Sequence, residues 1–429
     1  MNVAEQSNAA APGTSVPLTA AVRFAGDRSV YWRLLIRGAA LLAVTLGIYR
    51  FWFATDLRRF LWSNTEIAKE SLEYTGTAFE LLIGFLIAIA LLIPLYVGFF
   101  AVALGLGPAG QLTSVLGFPV LAFIGHFAVY RARRYRLTRT VYRGVRCHQD
   151  GSALRYAVCA LWWWTLIVLT LGLTYPFAQS RLERFKMRHT YYGNLQGRFE
   201  GSGLGLFLRG LPMWLLVVGP LVLALSYSLA MVDWSKVVAA AVAASSGGEF
   251  IDQLEGAFPN VYAAIVVSSS AITVSVIMAA ILFPVFQAMM LRWWLGGLRF
   301  GALTIRSQLR TAIIYGAYLR FLGYGFAFSL VASIMAGMAF AAVSAILTVA
   351  KLTDLAEIAG AVGGVGIYVA MMLGYSTIYQ GTVKLTLWSG GVESIELQGL
   401  SALDAVKAEG TPSSAVGEGL ADALNVGGF

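Results

Sequence analysis

Six long, nearly uncharged apolar runs decide what this chain of 429 residues can fold into. Each is close to or above the ~20 residues that an α-helix needs to cross a lipid bilayer. Only 12% of the residues are charged, which is about half the usual fraction in a soluble domain. The sequence therefore predicts an all-α polytopic membrane protein. The runs are Glu80–Leu104, Leu112–Tyr130, Leu204–Met231, Val261–Leu291, Ile313–Ala350 and Ile358–Gln380.

The sequence leaves the number of membrane spans between six and eight. The fifth run is either one long tilted helix or two crossings joined by a tight turn. Two further apolar runs, Leu34–Phe53 and Tyr156–Phe177, have Arg and Lys clusters on both sides. A simple crossing would put one cluster outside, although cytoplasmic loops normally carry the excess of Lys and Arg. Two alternatives stay open for these runs: an ordinary crossing helix, or a re-entrant element that breaks and returns to the cytoplasmic face.

The two basic-flanked runs belong to a predicted internal repeat. Residues 26–85 align without a gap to residues 151–210, an offset of 125 positions with 12 identities. Both copies carry Thr-Leu-Gly near the end of the apolar run, so the predicted helix breaks are Gly47, Gly172 and Pro176. The predicted units are a disordered tail 1–22, a first repeat 23–130, a second repeat 131–291 with a periplasmic loop 232–260, a degenerate third repeat 292–399 and a flexible tail 400–429.

Basic residues are concentrated in three segments, 23–79, 131–203 and 292–311, and the net charge of the chain is +9. The positive-inside rule places these segments in the cytoplasm, where they face anionic lipid headgroups. The basic balance therefore does not require nucleic acid as a partner, and membrane lipids are the expected contact.

Short stretches with β-branched or aromatic residues around a polar or glycine turn follow the Arg-rich helix ends. This residue pattern predicts short cytoplasmic β-hairpins. A lone hairpin is marginal in water, but five at one face could pair into a small sheet. The stretches are Thr65–Gly76, Thr140–Gly151, Thr190–Gly201 and, more weakly, Leu298–Leu309 and Val383–Leu397, the last with its turn at residues 389–391.

Four arginines precede an aromatic residue at helix ends: Arg59, Arg134, Arg184 and, in a degenerate copy, Arg292. One interpretation is contact with lipid headgroups or with an acidic partner. The other is that the side chains snorkel and anchor the helix at the membrane interface, beside a belt of aromatic residues.

Two polar side chains, His126 and Gln287, lie inside apolar runs. Such residues line pathways in transporters, but a neutral histidine bonded to a neighbouring helix is the simpler interpretation. The sequence has no HExxH, no Walker phosphate-binding loop and no GxSxG. We therefore expect no enzymatic activity, no metal site and no cofactor.

The string TLGIYRFW from Thr45 to Trp52, the segment Arg58–Thr65 and Tyr74-Thr-Gly76 resemble the YjgN-like family of bacterial inner-membrane proteins. The first copy departs from the family pattern, because it lacks the proline that the second copy has at Pro176. The resemblance covers most of the chain up to about residue 395. It implies a multi-pass protein of the bacterial inner membrane, in a family whose function is unknown. It also implies a possible link to membrane metalloproteases as partners.

Two functions remain for this chain on sequence grounds. The first is a non-enzymatic membrane protein that organises or assists a membrane partner through a basic cytoplasmic face. The alternative is a transporter or lipid-handling protein that uses broken helices at the repeat interface. A transporter should have a polar cavity around His126, Gln287 and the Thr-Leu-Gly breaks, whereas an organising protein should be packed there.

Overall fold

A computed structural model describes residues 20–105, 108–243, 259–350 and 353–410, together with Gly247 and Asp422. Helices account for most of these residues. They are α1 (Arg28–Val44), α2 (Arg50–Ser63), α3 (Ala78–Gly105), α4 (Pro108–Thr138), α5 (Ala153–Leu169), α6 (Tyr175–Arg188), α7 (Gly203–Met231), α8 (Trp234–Ala243), α9 (Pro259–Gly297), α10 (Thr311–Val349), α11 (Thr353–Tyr379) and α12 (Leu385–Glu393).

Eleven short strands lie between the helices. They are β1 (Ala20–Phe24), β2 (Thr65–Ile67), β3 (Glu70–Ser71), β4 (Glu73–Tyr74), β5 (Thr140–Tyr142), β6 (Val145–Gln149), β7 (Thr190–Tyr192), β8 (Leu195–Phe199), β9 (Leu298–Phe300), β10 (Leu303–Ser307) and β11 (Ile395–Gln398).

Five helices in the described part of the chain are long and apolar enough to cross a membrane. Five is fewer than the six to eight spans predicted. The predicted run Leu112–Tyr130 lies within α4, whose side chains at residues 108–116 are outside the described part, and α4 is not among the five. The fifth run forms one continuous helix of 39 residues, so the alternative of two crossings is wrong. The five are Ala78–Val102, Gly203–Met231, Asn260–Gly297, Thr311–Val349 and Ile358–Glu393.

Two shorter helical pairs, α1–α2 and α5–α6, correspond to the basic-flanked runs. Strands β1 and β2 lie at the two ends of the first pair and are hydrogen-bonded to each other, so the chain leaves the sheet and returns to it. The second pair lies between β6 and β7, which also pair with each other. Each pair is therefore a helical hairpin with both ends on one sheet. A helix of 17 residues reaches only about 25 Å.

The breaks in these hairpins have the same conformation in both copies. Leu46 and Gly47 have φ angles of 50° and 91°, and Leu171 and Gly172 have 50° and 92°. Gly47 N donates to Leu42 O at 2.8 Å, and the Thr45 hydroxyl accepts from Tyr49 N at 3.0 Å. Gly172 makes the equivalent bond, and so does Thr170. The threonine thus supplies a backbone N–H of the break with a partner, as any segment surrounded by lipid requires.

The strands form one sheet, and this corrects the predicted all-α fold class. The order is β3-β2-β1-β11-β10-β9-β8-β7-β6-β5-β4, with antiparallel neighbours. Only Leu72 separates the two edge strands β3 and β4, and the Tyr142 hydroxyl on β5 donates to Ile67 O on β2 at 2.9 Å. The sheet is therefore an almost closed ring, to which we refer as the strand ring.

Four of the five predicted hairpins are present as consecutive antiparallel pairs: β2–β3, β5–β6, β7–β8 and β9–β10. After β3 the chain continues through β4, which pairs with β5. The predicted hairpin at Val383–Leu397 is wrong, because Ser389, Gly390 and Gly391 are helical and only β11 follows. The partner of β11 is β1, from the other end of the chain.

Each predicted tail overlaps at one end with residues that form a strand or pack on the core. Strand β1 starts at Ala20, so residues 20–22 are part of the ring and not of a disordered tail. Leu400 and Leu403 pack on a buried cluster that contains Val22 and Leu397, so the predicted tail 400–429 is ordered at its start. Residues 1–19, 411–421 and 423–429 lie outside the described residues.

Replacing Gly47 with alanine tests the helix break. The added Cβ meets nothing within 4 Å, so the effect comes only from the positive φ angle. We expect the free energy of unfolding to fall by about 1 kcal/mol, measured as a lower thermal midpoint in detergent. Gly98→Ala is the control, because Gly98 lies in α3 with equally open surroundings and should be neutral or stabilising. Equal effects of the two substitutions would contradict the break.

Candidate functional site

The four arginines singled out in the sequence each donate to a backbone carbonyl 17 positions further along. Arg59 contacts Gly76 O at 3.1 Å, Arg184 contacts Gly201 O at 3.3 Å and Arg292 contacts Leu309 O at 3.0 Å. Arg134 contacts Gly151 O in the same way. Each guanidinium therefore ties a helix end to the point where the chain leaves the strand ring.

The two predicted intramembrane polar residues also have protein neighbours. Gln287 Oε1 accepts from the Tyr318 hydroxyl at 3.0 Å, between α9 and α10. The His126 ring stacks on Trp164, with the ring centroids 5.9 Å apart. The three cavities described below are not lined by His126 or Gln287. A polar cavity lies elsewhere, at the first helix break.

A cavity of 360 Å³ lies between the first helical hairpin and the end of α11, and we call it the basic cavity. Its lining contains three cationic side chains and one carboxylate among the described residues. The lining residues are Leu42, Arg50, Phe51, Phe53, Ala54, Leu57, Arg58, Leu81, Ser376, Tyr379, Gln380, Lys384 and Asp422.

Arg58 forms the buried wall of the basic cavity, and only 5% of it is exposed. Its Nη2 donates to Asp422 Oδ1 at 3.1 Å, and its Nη1 donates to Asp422 Oδ2 and, at 3.1 Å, to the Tyr74 hydroxyl. Arg136 from α4 lies 3.5 Å from the same carboxylate. A bidentate arginine beside a second guanidinium is a strong site for an oxyanion.

Arg50 and Lys384 place two more cations in the lining. Arg50 follows the helix break directly, and its guanidinium lies over the rings of Phe51 and Phe85, 5.3 and 5.0 Å from their centroids. Lys384 ends a π-helical turn over Gln380–Lys384, a local form that is frequent at functional sites. Cations beside an apolar span are expensive to bury, so we regard these residues as functional candidates.

A second cavity, of 440 Å³, lies at the second helix break and is almost entirely apolar. Positions 125 apart line both cavities: Leu42 and Ile167, Arg50 and Tyr175, Leu81 and Leu206. The counterpart of Arg58 is Glu183, which bonds Lys186 and accepts from Trp294 Nε1 at 3.1 Å. Pro176 lies in the first turn of α6 and lines this apolar groove. The two breaks thus have the same geometry and different chemistry.

A third cavity, of 510 Å³, lies inside the strand ring. Its lining is apolar and includes Val22, Phe300 and Leu403, together with Trp388 from α12. Cys147 on β6 also lines it, so the exposed part of this side chain faces the cavity and not the solvent. Burial raises the pKa of the Cys147 thiol to about 12.

No group of three or more potential metal ligands was found among the residues that the structure describes. Both cysteines are free thiols. The charged groups that line the three cavities are therefore cations and one carboxylate.

A family model of bacterial proteins of unknown function, DUF898, matches residues 19–423. The chain belongs to this family. The resemblance to the YjgN-like proteins is thereby confirmed. Searches among curated proteins and among solved structures each give no match. The family description names no activity, so the function has to be argued from the cavities.

Sequence reasoning missed the basic cavity as a site. Arg50 and Arg58 were counted only as flanking charges, and Lys384 and Asp422 were not considered. One signal was available: Arg50 lies three positions after Gly47 of Thr-Leu-Gly, where the second copy has Tyr175. The contribution of Asp422, 364 positions from Arg58, had no local signal.

Cys147 provides a test of the closed strand ring. Because only the thiolate reacts, the raised pKa should slow alkylation at pH 8 by about a thousandfold relative to the unfolded chain. The rate should rise only as the pH approaches the raised pKa. The measurement is iodoacetamide incorporation by mass spectrometry in a Cys159→Ser background, with and without denaturant. Rapid labelling of the folded protein at pH 8 would show that the ring is open.

Proposed function

We propose that this chain is a multi-pass protein of the bacterial inner membrane that handles lipid, binding an anionic phospholipid in the basic cavity. The proposal rests on one observation: three cationic side chains line a cavity beside a helix break whose tip is exposed and apolar. No catalytic group is required for this function, and we expect none.

The exposed tips support insertion of both short hairpins into lipid. Leu46 is 93% exposed and Val44 81%, and at the second tip Leu169 is 73% exposed. Such a surface is unfavourable in water and favourable in the hydrocarbon core. Each helical hairpin reaches about 25 Å, which is less than the ~30 Å thickness of the hydrocarbon core, so it does not span the membrane. The tips would therefore end inside the bilayer, as re-entrant elements.

The charge distribution supports a cytoplasmic position for the strand ring. The hairpins that form the ring carry Arg143, Arg146, Arg198 and Arg306, and cytoplasmic segments are the ones enriched in Arg and Lys. With the ring inside, the basic cavity lies at the depth of the inner leaflet, where anionic headgroups are concentrated.

The chemistry of the basic cavity favours lipid over the other candidates. A phospholipid combines an oxyanion, which suits the cations of the basic cavity, with acyl chains, which suit the apolar residues of the same lining, Leu42, Phe53 and Leu57. The four arginines considered for partner contact each donate to a backbone carbonyl and do not line the basic cavity. The organisation of a partner, including a metalloprotease, stays a prediction.

Cysteine labelling tests the re-entrant topology. Single cysteines at the exposed positions Arg28 and Ser63, in a chain with Cys147 and Cys159 replaced by serine, flank the first short hairpin. We expect both to react with an impermeant maleimide only from the cytoplasmic side. Lys236→Cys is the control, since it lies in the predicted periplasmic loop and should react from outside. Labelling of either hairpin position from outside would reject re-entry.

Charge removal tests the lipid site. Arg50→Gln and Lys384→Gln should each reduce bound anionic phospholipid by about tenfold, since a hydrogen bond to a charged group contributes about 1.5–3 kcal/mol. Native mass spectrometry after purification in mild detergent measures the bound lipid. Arg209→Gln is the control, because Arg209 is an exposed cation of α7 outside the cavity. Unchanged lipid in folded Arg50 and Lys384 variants would refute the proposed site.

A further inference from the structure

The carboxylate that lies in the basic cavity comes from the last residues of the chain. Asp422 is 3% exposed, and its neighbour Arg58 is 364 positions away in sequence. Its two oxygens accept from Arg58, and Arg136 lies 3.5 Å from one of them. The anion position of the cavity is therefore occupied by a group of the protein itself.

The oxygens of a phosphate ester would accept from the same guanidinium donors. Carboxylate and phosphate oxygens both accept parallel N–H donors from a guanidinium. Tyr74 completes the wall, accepting from Arg58 at 3.1 Å. Lipid phosphate and the Asp422 carboxylate would therefore compete for the same donors.

The tail that carries Asp422 is anchored on the strand ring. Lys407 N donates to Asn194 Oδ1 at 3.1 Å, and Asn194 N donates to Lys407 O at 3.2 Å. Gly410 lies against the His148 ring. In sequence, Asp422 is 12 positions from Gly410. A ligand that belongs to the same chain acts at an effective concentration that does not change with dilution.

We propose that Asp422 is a built-in competitor that occupies the anion position until an anionic phosphate ester of the membrane displaces it. This inference rests on the proposed lipid-binding function. Occupancy of the cavity by lipid would then depend on the anionic lipid content of the inner leaflet, because an intramolecular ligand yields only to a competitor that exceeds its effective concentration.

Removing the charge of Asp422 tests the competition. Asp422→Asn in nanodiscs should bind phosphatidylglycerol about tenfold more tightly than the unmodified chain, as expected when a competing charge-assisted contact is lost. Asp404→Asn is the matched control, because Asp404 is an exposed tail carboxylate that pairs with Arg143. Unchanged affinity with a lowered thermal midpoint would show that Asp422 only holds the fold together, and would overturn the inference.

Displacement of the tail is measured separately, with the carboxylate intact. Ala423→Cys, next to Asp422 in sequence and in the background lacking Cys147 and Cys159, reports whether Asp422 leaves the cavity. We expect maleimide labelling to rise about tenfold when phosphatidylcholine nanodiscs are replaced by ones containing phosphatidylglycerol. Equal labelling in the two nanodiscs would reject displacement.

The source of the phosphate ester is decided by a third arm. Inorganic phosphate added to phosphatidylcholine nanodiscs should leave the labelling unchanged if a lipid headgroup is the ligand, whereas an increase would point to a soluble phosphate and overturn the lipid as displacing ligand. Failure of the tail and failure of the site are distinguishable. If Arg50→Gln lowers lipid binding but Asp422→Asn leaves the lipid affinity unchanged, the lipid site is supported and the competition by Asp422 is refuted. If neither variant changes binding, the proposed function falls as well.

Discussion

The architecture depends on the pairing of the first strand with the last. An isolated hairpin of three to five residues per strand is marginal in water, and each one here gains stability from its neighbours in the strand ring. The ring becomes almost continuous because β1 lies between β11 and β2, with Ala20 opposite Leu397 and Val22 opposite Ile67. Every helical hairpin begins and ends on this ring, so the positions of both helix breaks and both cavities follow from it.

The connections to the ring are repeated and specific. An arginine near the end of a helix reaches the carbonyl 17 residues further along, across the strands in between. Each accepting residue lies two positions before the start of the next helix, so each bond joins the end of one helix to the beginning of another. Arginine suits this role because its guanidinium carries several N–H donors in a fixed geometry.

Local features of the sequence predicted much of the fold, and distant ones could not be predicted. Apolar run length gave the long helices, and Thr-Leu-Gly gave both breaks, because their signals lie within a few residues. The consecutive strand pairs were recognisable from β-branched and aromatic residues around a turn. Closure of the ring was not, since β1 and β11 are far apart in sequence. Residues 383–391 were misassigned because Ser389, Gly390 and Gly391 favour a turn locally, whereas packing against Leu291, Leu309 and Ile313 keeps them helical. The basic cavity was missed for the same reason of distance: α2, α11 and Asp422 meet only in the folded chain.

The pairing of β1 with β11 also has a consequence for biosynthesis. The first strand leaves the ribosome long before its partner exists, so one edge of β1 lacks its final neighbour while all the membrane helices are being made. The ring can therefore be completed only after the helices between β1 and β11 have been synthesised. A chain that stops before residue 395 would carry its helices and an open strand edge, and open edges invite pairing with other chains. The synthesis of β11 is therefore the step that covers this edge of β1.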